Sequence, residues 1–297
     1  MTLDQLRVFL TVARLEHVTR AADHLNMTQS AVSAAIAALE ARHDVRLFDR
    51  VGRGISLTQA GRSFVPHARD VLSRAEEAAR ALTDLGSQVA GELYLGASQT
   101  VASYWLPPAL VRYRALYPAV KLEVMAGNTT TVVASLLEGK IDLGVVEGVV
   151  SAPDVLVEPL VEDHLIVLVG RDHPWALGQA LTLDDLASSQ WVLRESGSGT
   201  RAAFDKALTT AGLSPLTLPV MMELPSNEAC IAAVEAGGVA TVLSRRAAAS
   251  HLAQGLLHEA AFPLPPRVFQ MIRHKARHQS RASEAMSELL SKASPLP

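Results

Sequence analysis

The sequence is short of several things, and each absence narrows its function. A single cysteine, Cys230, stands in 297 residues, so no internal disulfide forms and the chemistry points to the cytosol. No apolar run is long enough to span a bilayer, which argues against the membrane as a partner. Asp4 and Arg7 interrupt the first turns, so the N-terminus does not read as a signal peptide. There is little net charge: the formal value is −3, which does not advertise nucleic acid. The first 60 residues hold seven arginines against six carboxylates, a weak basic footprint. No nucleophile, base and orienter fall in a recognisable motif, and no nucleotide-binding glycine fingerprint stands at a first strand. Nothing therefore argues for an enzyme or a resident cofactor. What is present is globular: 49% hydrophobic and 19% charged residues, enough chain for two or three domains with real cores.

The most informative stretch is Val18 to Glu40. It reads as two short helices with a tight turn at Asn26 and Met27. Ala21, Ala22 and Leu25 give the first helix a small, apolar side that permits close approach. Thr28 can cap the second helix by accepting from an orphan backbone N–H. Val32, Ile36 and Leu39 recur at i, i+4, i+7 and define a buried stripe. The opposite face carries Gln29, Ser30, Ser33, Ala34 and Ala37, polar or small and bare of charge. The pattern fits a helical hairpin in a bundle. It also fits a helix-turn-helix whose second helix enters the major groove. In the second case Gln29 reaches base edges or phosphate, and the small hydroxyls let the backbone come close.

Ala21, Ala22, Leu25, Thr28, Gln29, Ala31, Val32, Ser33, Ile36, Leu39 and Glu40 resemble the N-terminal signature of LysR-type transcriptional regulators. Leu47, Phe48, Arg50, Leu57, Thr58 and Gly61 continue the match, and the resemblance extends over the whole chain. It implies an α+β protein: an N-terminal winged helix-turn-helix, a long linker helix and a C-terminal two-lobed α/β domain of the periplasmic-binding-protein type. The expected domains are residues 1–58, 59–88 and 89–297. Lobe one is expected at about 89–162 and 269–297, and lobe two at about 163–268. The chain departs from the family at Ala34, where many members carry Arg or Lys, so a basic contact has to come from elsewhere. Arg20, Arg50 and Arg53 are the candidates, beside Thr28, Gln29, Ser30, Ser33 and Ala34 on the recognition helix.

The rest follows in chain order. Leu3, Leu6, Phe9, Leu10 and Ala13 predict a first helix that packs under the helix-turn-helix. Gly52 and Gly54 mark a turn between two short extended pieces, the shape of a wing flanked by Arg50 and Arg53. From Gln59 to Leu85, the residues Gly61, Phe64, Ala68, Val71, Ala75, Ala78, Leu82 and Leu85 recur at three- and four-residue steps. This heptad seam predicts a helix of roughly 40 Å that pairs with a second copy. Pro66 sits near its start. Alanine-rich seam positions bury little area, so the remainder of the chain is expected to oligomerise too, from homodimer to homotetramer.

From Gly91 the texture alternates strand and helix. Strands are predicted at Glu92–Ala97, Val120–Met125 and Ile141–Val146, with helices at Trp105–Leu116 and Thr130–Leu137. A short apolar run, Leu165–Val169, precedes a second series. That series predicts strands at Trp191–Arg194, Val220–Glu223 and Val239–Leu243, with helices at Ala202–Ala211 and Glu228–Ala236. Such alternation implies largely parallel sheets with helices on both faces. The chain is expected to return near Phe269–Arg273 and to end in a helix from about Arg281 to Leu290.

In open sheets of this kind, ligands bind beyond the carboxyl ends of the strands. Ser98, Gln99 and Thr100 follow the first strand of lobe one. Ser196, Gly197, Ser198, Gly199, Thr200 and Arg201 follow that of lobe two, and Ser226 with Asn227 opens a third helix. Hydroxyls and free N–H groups at helix starts favour anions. They also serve as ordinary helix caps. Arg194 and Arg201 are placed to neutralise an anion or to pair on the surface. Glu147, at a strand end, either lines the cleft or caps a neighbouring helix. The SGSGTR run resembles the LysR branch that governs sulfur assimilation and carbon fixation, which implies a sulfur oxyanion or a small metabolic acid as effector. The expected partners are promoter DNA, that small anion and further copies of the chain. His274 and His278 share metal spacing if they lie on a helix, but stand in a basic stretch without a carboxylate or thiol. Cys230, among Ala and Ile, reads as a small core residue. The rival readings are an α/β enzyme or a solute-binding protein for a small anion.

Overall fold

The computed structural model describes residues 1–51, 54–83 and 89–292. The chain divides into two compact units, Met1–Thr83 and the remainder.

The first unit runs α1 (Leu3–Leu15), α2 (Val18–Leu25), α3 (Gln29–His43), β1 (Phe48–Val51), β2 (Gly54–Leu57) and α4 (Gln59–Thr83). Each of the first three helices stops at a residue in the left-handed region: Glu16, Asn26 and Asp44, with φ of 47°, 52° and 48°. Thr2 and Gln5 form a capping box that starts α1. Leu6, Phe9, Val12, Ala21, Ala22, Val32, Ile36 and Leu39 close over one core. Phe9 anchors it, with ring centroids 5.5 Å from Phe48 and 5.1 Å from Phe64. Glu40 turns the chain out of α3: its Oε1 accepts from the Leu47 and Phe48 N–H groups at 2.7 and 3.1 Å. β1 and β2 then pair antiparallel as a wing.

The start of the α4 seam packs within its own unit. Ala68 and Leu72 are buried, and Phe64 and Val65 pack on the core of their own unit. Three- and four-residue steps thus serve intramolecular packing at the start of this helix. Gly61 is required there, because an added Cβ would lie 2.1 Å from the Leu47 carbonyl oxygen. Val71 and Ala78 are exposed on the stretch beyond. Pro66 lies inside the helix rather than ending it. The side chain of Leu82, and Leu85 altogether, fall outside the described residues.

The second unit begins with β3 (Gly91–Ser98), α5 (Gln99–Tyr104), α6 (Pro107–Leu116), β4 (Val120–Gly127), α7 (Thr129–Leu137), β5 (Leu143–Glu147) and β6 (Val155–Asp163). It crosses to β7 (Leu165–Gly170), α8 (Leu183–Ser188), β8 (Trp191–Arg194), α9 (Gly199–Ala211), β9 (Val220–Leu224), α10 (Asn227–Glu235), β10 (Ala240–Ser244), α11 (Arg245–Ala253) and β11 (Leu257–Ala260). It returns through β12 (Arg267–His274) and ends in α12 (Arg281–Ser291). The two sheets are ordered β4-β3-β5-β12-β6 and β11-β7-β10-β8-β9. Tyr113 ties the last helix to the first lobe by donating to the Ala282 carbonyl at 2.8 Å. Trp191 centres the second lobe and donates to the Leu186 carbonyl at 2.8 Å.

In each sheet four of the five strands run the same way and one is reversed. β3 runs parallel to β4 and β5, but β12 is antiparallel to both β5 and β6. β8 is parallel to β9 and β10, whereas β7 is antiparallel to β10 and β11. The strands that enter from the other lobe reverse the direction. Trp105 and Leu106 form no part of α6, because Pro107 opens that helix at its first position. β6 and α11 had no counterpart in the sequence reading. His274 closes a strand rather than sitting on a helix, so it and His278 share no helix face.

Candidate functional site

On the first unit, α3 separates its two faces cleanly. Val32, Ile36 and Leu39 are buried. Gln29, Ser30, Ser33, Ala34 and Ala37 are all exposed. Thr28 holds the helix start: its hydroxyl accepts from the Ala31 N–H at 3.2 Å and lies 3.0 Å from the Ser30 hydroxyl. Gln29 and Ser33 are left as polar side chains open to solvent, with the helix N-terminus beside them, an arrangement suited to phosphate and base edges. Arg20 on α2 and Arg50 on β1 are exposed; Arg53 lies outside the described residues. Ala34 is open to solvent, so nothing among the described residues excludes a longer side chain there.

On the second unit, the carboxyl ends of β3, β5 and β8 meet a group of buried polar residues. Ser98 ends β3 and donates to the Glu147 carboxylate at the end of β5. Glu147 is 1% exposed. Burial pushes its carboxyl above the usual carboxylate range, against the opposing pull of Arg267, a hydrogen bond from Thr100 and Arg194. Gly199 permits this packing, since an added Cβ would stand 2.2 Å from the Glu147 carbonyl oxygen.

The lobes are joined by direct hydrogen bonds. Arg194, 2% exposed, donates through Nη1 to Gln99 at 3.1 Å and to Asn227 at 3.0 Å, and through Nε to Glu195 at 2.8 Å. Asn227 donates to the Thr100 hydroxyl at 3.2 Å. Gln99 donates to Glu228 at 2.6 Å. Arg267 donates from Nη1 to the Thr200 hydroxyl at 2.9 Å and from Nε to Asp163 at 2.8 Å, and its Nη2 has no partner among the described residues. Asp163 also accepts from Ser244 at 2.5 Å.

Ser98, Gln99, Thr100, Glu147, Gly199 and Thr200 are therefore brought together. Ser198 and Ser226 stand at the margin as caps, accepting from the Arg201 and Ala229 N–H groups. Ser196 is exposed and outside the cluster. Arg201 turns away to pair with Asp205 and Glu223 at 3.0 and 2.8 Å. Asn227, offered with Ser226 as a third candidate, joins the cluster, whereas Arg267, Asp163 and Thr129 belong to it but were not singled out from the sequence as binding residues. Arg267 follows a proline-rich loop and carries no motif. Only the crossover brings it beside Thr200.

Two family models cover most of the chain. The bacterial regulatory helix-turn-helix protein of the lysR family matches residues 3–62, and the LysR substrate binding domain matches residues 86–295. The HTH-type transcriptional regulator YeiE of Escherichia coli (strain K12) is 38% identical over 285 residues, covering 95% of this chain and 94% of that protein. A probable RuBisCO transcriptional regulator of Trichormus variabilis is 34% identical over 294 residues, covering 97% and 87%. A full-length OxyR variant from Pseudomonas aeruginosa superposes with a TM-score of 0.71 at 26% identity, covering 98% of this chain and 94% of that one. The two sequence relatives are named as regulators, not enzymes, and no helix among the described residues is long and apolar enough to cross a membrane. With a helix-turn-helix in its first unit and a two-lobed domain in its second, the chain belongs to the LysR family of DNA-binding transcriptional regulators.

Proposed function

We propose that this regulator answers to a small anion bound between the lobes, among Ser98, Thr100 and Thr200. The observation that carries this reading is the pair of buried guanidiniums, Arg194 and Arg267, set among hydroxyls and amides contributed by both lobes. Two cations removed from water need anionic partners. Glu195 and Asp163 supply part of that charge. The raised Glu147 carboxyl tends toward its neutral form, which lowers the negative charge there and favours an entering anion. The anion acts by preferring one arrangement of the lobes over another.

In the first unit, Gln29, Ser30 and Ser33 read the major groove, Thr28 and Ala34 lie at the same surface, and Arg20, Arg50 and Arg53 contact phosphate. Pairing of two copies along α4, where Val71 and Ala78 stay exposed, sets two such helices on two half-sites; pairing of dimers gives a tetramer. The test of the effector is thermal stability measured with sulfite, sulfate, thiosulfate and short dicarboxylates against neutral analogues. A ligand specific for the folded state raises the midpoint by mass action. A midpoint unmoved by every anion, but raised by a neutral analogue, removes the reading.

A further inference from the structure

A cavity of about 790 Å³ adjoins the interlobe cluster at Arg267 and opens between α9, Gly148 with Val149, and the segment 262–270 that enters β12. Its volume falls within the range of small-molecule sites, about 300–1,000 Å³. One wall exists because of the α9 sequence. Phe204 and Leu208 turn into the lobe-two core, and Ala203, Lys206, Ala207 and Thr210, at i, i+3, i+4, i+7, share the flank that lines the cavity. Small side chains there leave the space open. The facing wall holds Phe262, Leu264 and three prolines, Pro263, Pro265 and Pro266, whose fixed φ makes the wall stiff without a ligand.

The charged groups of this cavity are both cationic, Arg267 and Lys206. Arg267 lines it with a side chain 5% exposed, and its Nη2 has no hydrogen-bond partner among the described residues. The buried Gln270 Oε1, on another lining residue, is an acceptor without a partner among them and suits a donor rather than the carboxylate. Lys206 is exposed at the mouth and makes no ion pair among the described residues. No carboxylate among the described residues lines the cavity. Apolar walls with two cations and no acid select an anion that carries an apolar body.

We infer that this cavity is a second ligand site, for an amphipathic organic carboxylate of the aryl or medium-chain kind. It is separate from the interlobe anion site but coupled to it. Arg267 lines the cavity and also donates to Thr200, and α9 forms one wall while its first turn packs against Glu147. A carboxylate seated there acts on the two elements that hold the lobes together, and so biases the same lobe equilibrium.

The probe is 1-naphthoate, titrated into the full chain by calorimetry with neutral 1-naphthalenemethanol as control. The expected result is saturable binding, one per chain, with the alcohol weaker. Ala202→Trp fills the cavity from an exposed position and weakens 1-naphthoate by about tenfold or more, a loss of about 1.4 kcal/mol. Lys206→Glu weakens it by about threefold, as expected of an exposed charge pair. Thr100→Ala, in the interlobe cluster, acts on it only through the lobe equilibrium and changes it less than Ala202→Trp does. Both surface variants keep the wild-type thermal midpoint, which excludes loss of fold. The inference is overturned by absence of saturation at millimolar 1-naphthoate, by wild-type affinity in Ala202→Trp, or by a loss confined to Thr100→Ala, which assigns the ligand to the interlobe cluster instead.

Discussion

Arg267 and Thr200 lie 67 positions apart and meet across the lobes, Nη1 to Oγ1 at 2.9 Å, both buried. The same guanidinium reaches Asp163 at 2.8 Å and lies 3.9 Å from Glu147. One side chain thus ties the end of the crossover, the start of α9 and the ends of β5 and β6.

Arg267→Ala leaves Asp163 and Glu147 buried beside an empty place. Removing one partner of a buried ion pair costs about 3–5 kcal/mol. Thr200→Val removes only one acceptor and costs about 1–3 kcal/mol. Thermal denaturation of the two variants should rank them in that order. Equal midpoints would remove Arg267 from its central place.

Glu147 sets a pH dependence. Its folded pKa is raised, by burial first, above the ordinary value of 4.5. The folded state therefore holds the proton more tightly than the unfolded one. Its contribution to stability is complete below pH 4.5 and declines as pH rises through the displaced value. Glu147→Gln has no such proton to lose, so its stability should fall less across that window. Midpoints measured from about pH 4 to 8 check this; parallel profiles for the two proteins contradict it.

Some of this architecture could be read in advance and some could not. The α3 stripe of Val32, Ile36 and Leu39 was legible because a helix sets its faces within a few residues. The wing was legible from Gly52 and Gly54, although the turn itself lies outside the described residues. The α4 seam was legible as spacing but not as a partner, because residues such as Ala68 fit a neighbouring helix of the same unit as well as a second copy. β6 was hidden by Pro159 in its middle, and α11 by a run of arginine and alanine without an apolar stripe. The antiparallel direction of β7 and β12 depends on crossovers between lobes, which local alternation cannot encode. Arg267 was missed for the same reason: its partners stand 67 and 104 positions away.

Ala34 leaves a place for charge on the exposed face of α3. Ala34→Arg should tighten binding to the chain's own upstream DNA several-fold. It should also steepen the dependence of log K on log salt by about one per phosphate contacted. Gln29→Ala should weaken binding by about 1–3 kcal/mol and relax preference at one base position. Footprinting with salt titration measures both, and an unchanged slope with an unchanged footprint removes α3 from the interface.

Cys230 is fully buried in the lobe-two core. Burial pushes its thiol up to about 11, so little thiolate is present at neutral pH. Reaction with a thiol-specific disulfide reagent near neutral pH should follow unfolding and give one equivalent only in denaturant. Rapid labelling of the native protein would make Cys230 a reactive thiol.

The interlobe anion is tested most directly by calorimetric titration of whichever anion raises the thermal midpoint, into the native chain and into Thr100→Ala and Thr200→Ala. Each variant removes a hydroxyl from a different lobe. The expected loss is about tenfold or more in each, the worth of one hydrogen bond to a charged ligand. Wild-type affinity in both variants would place the anion elsewhere and contradict the account.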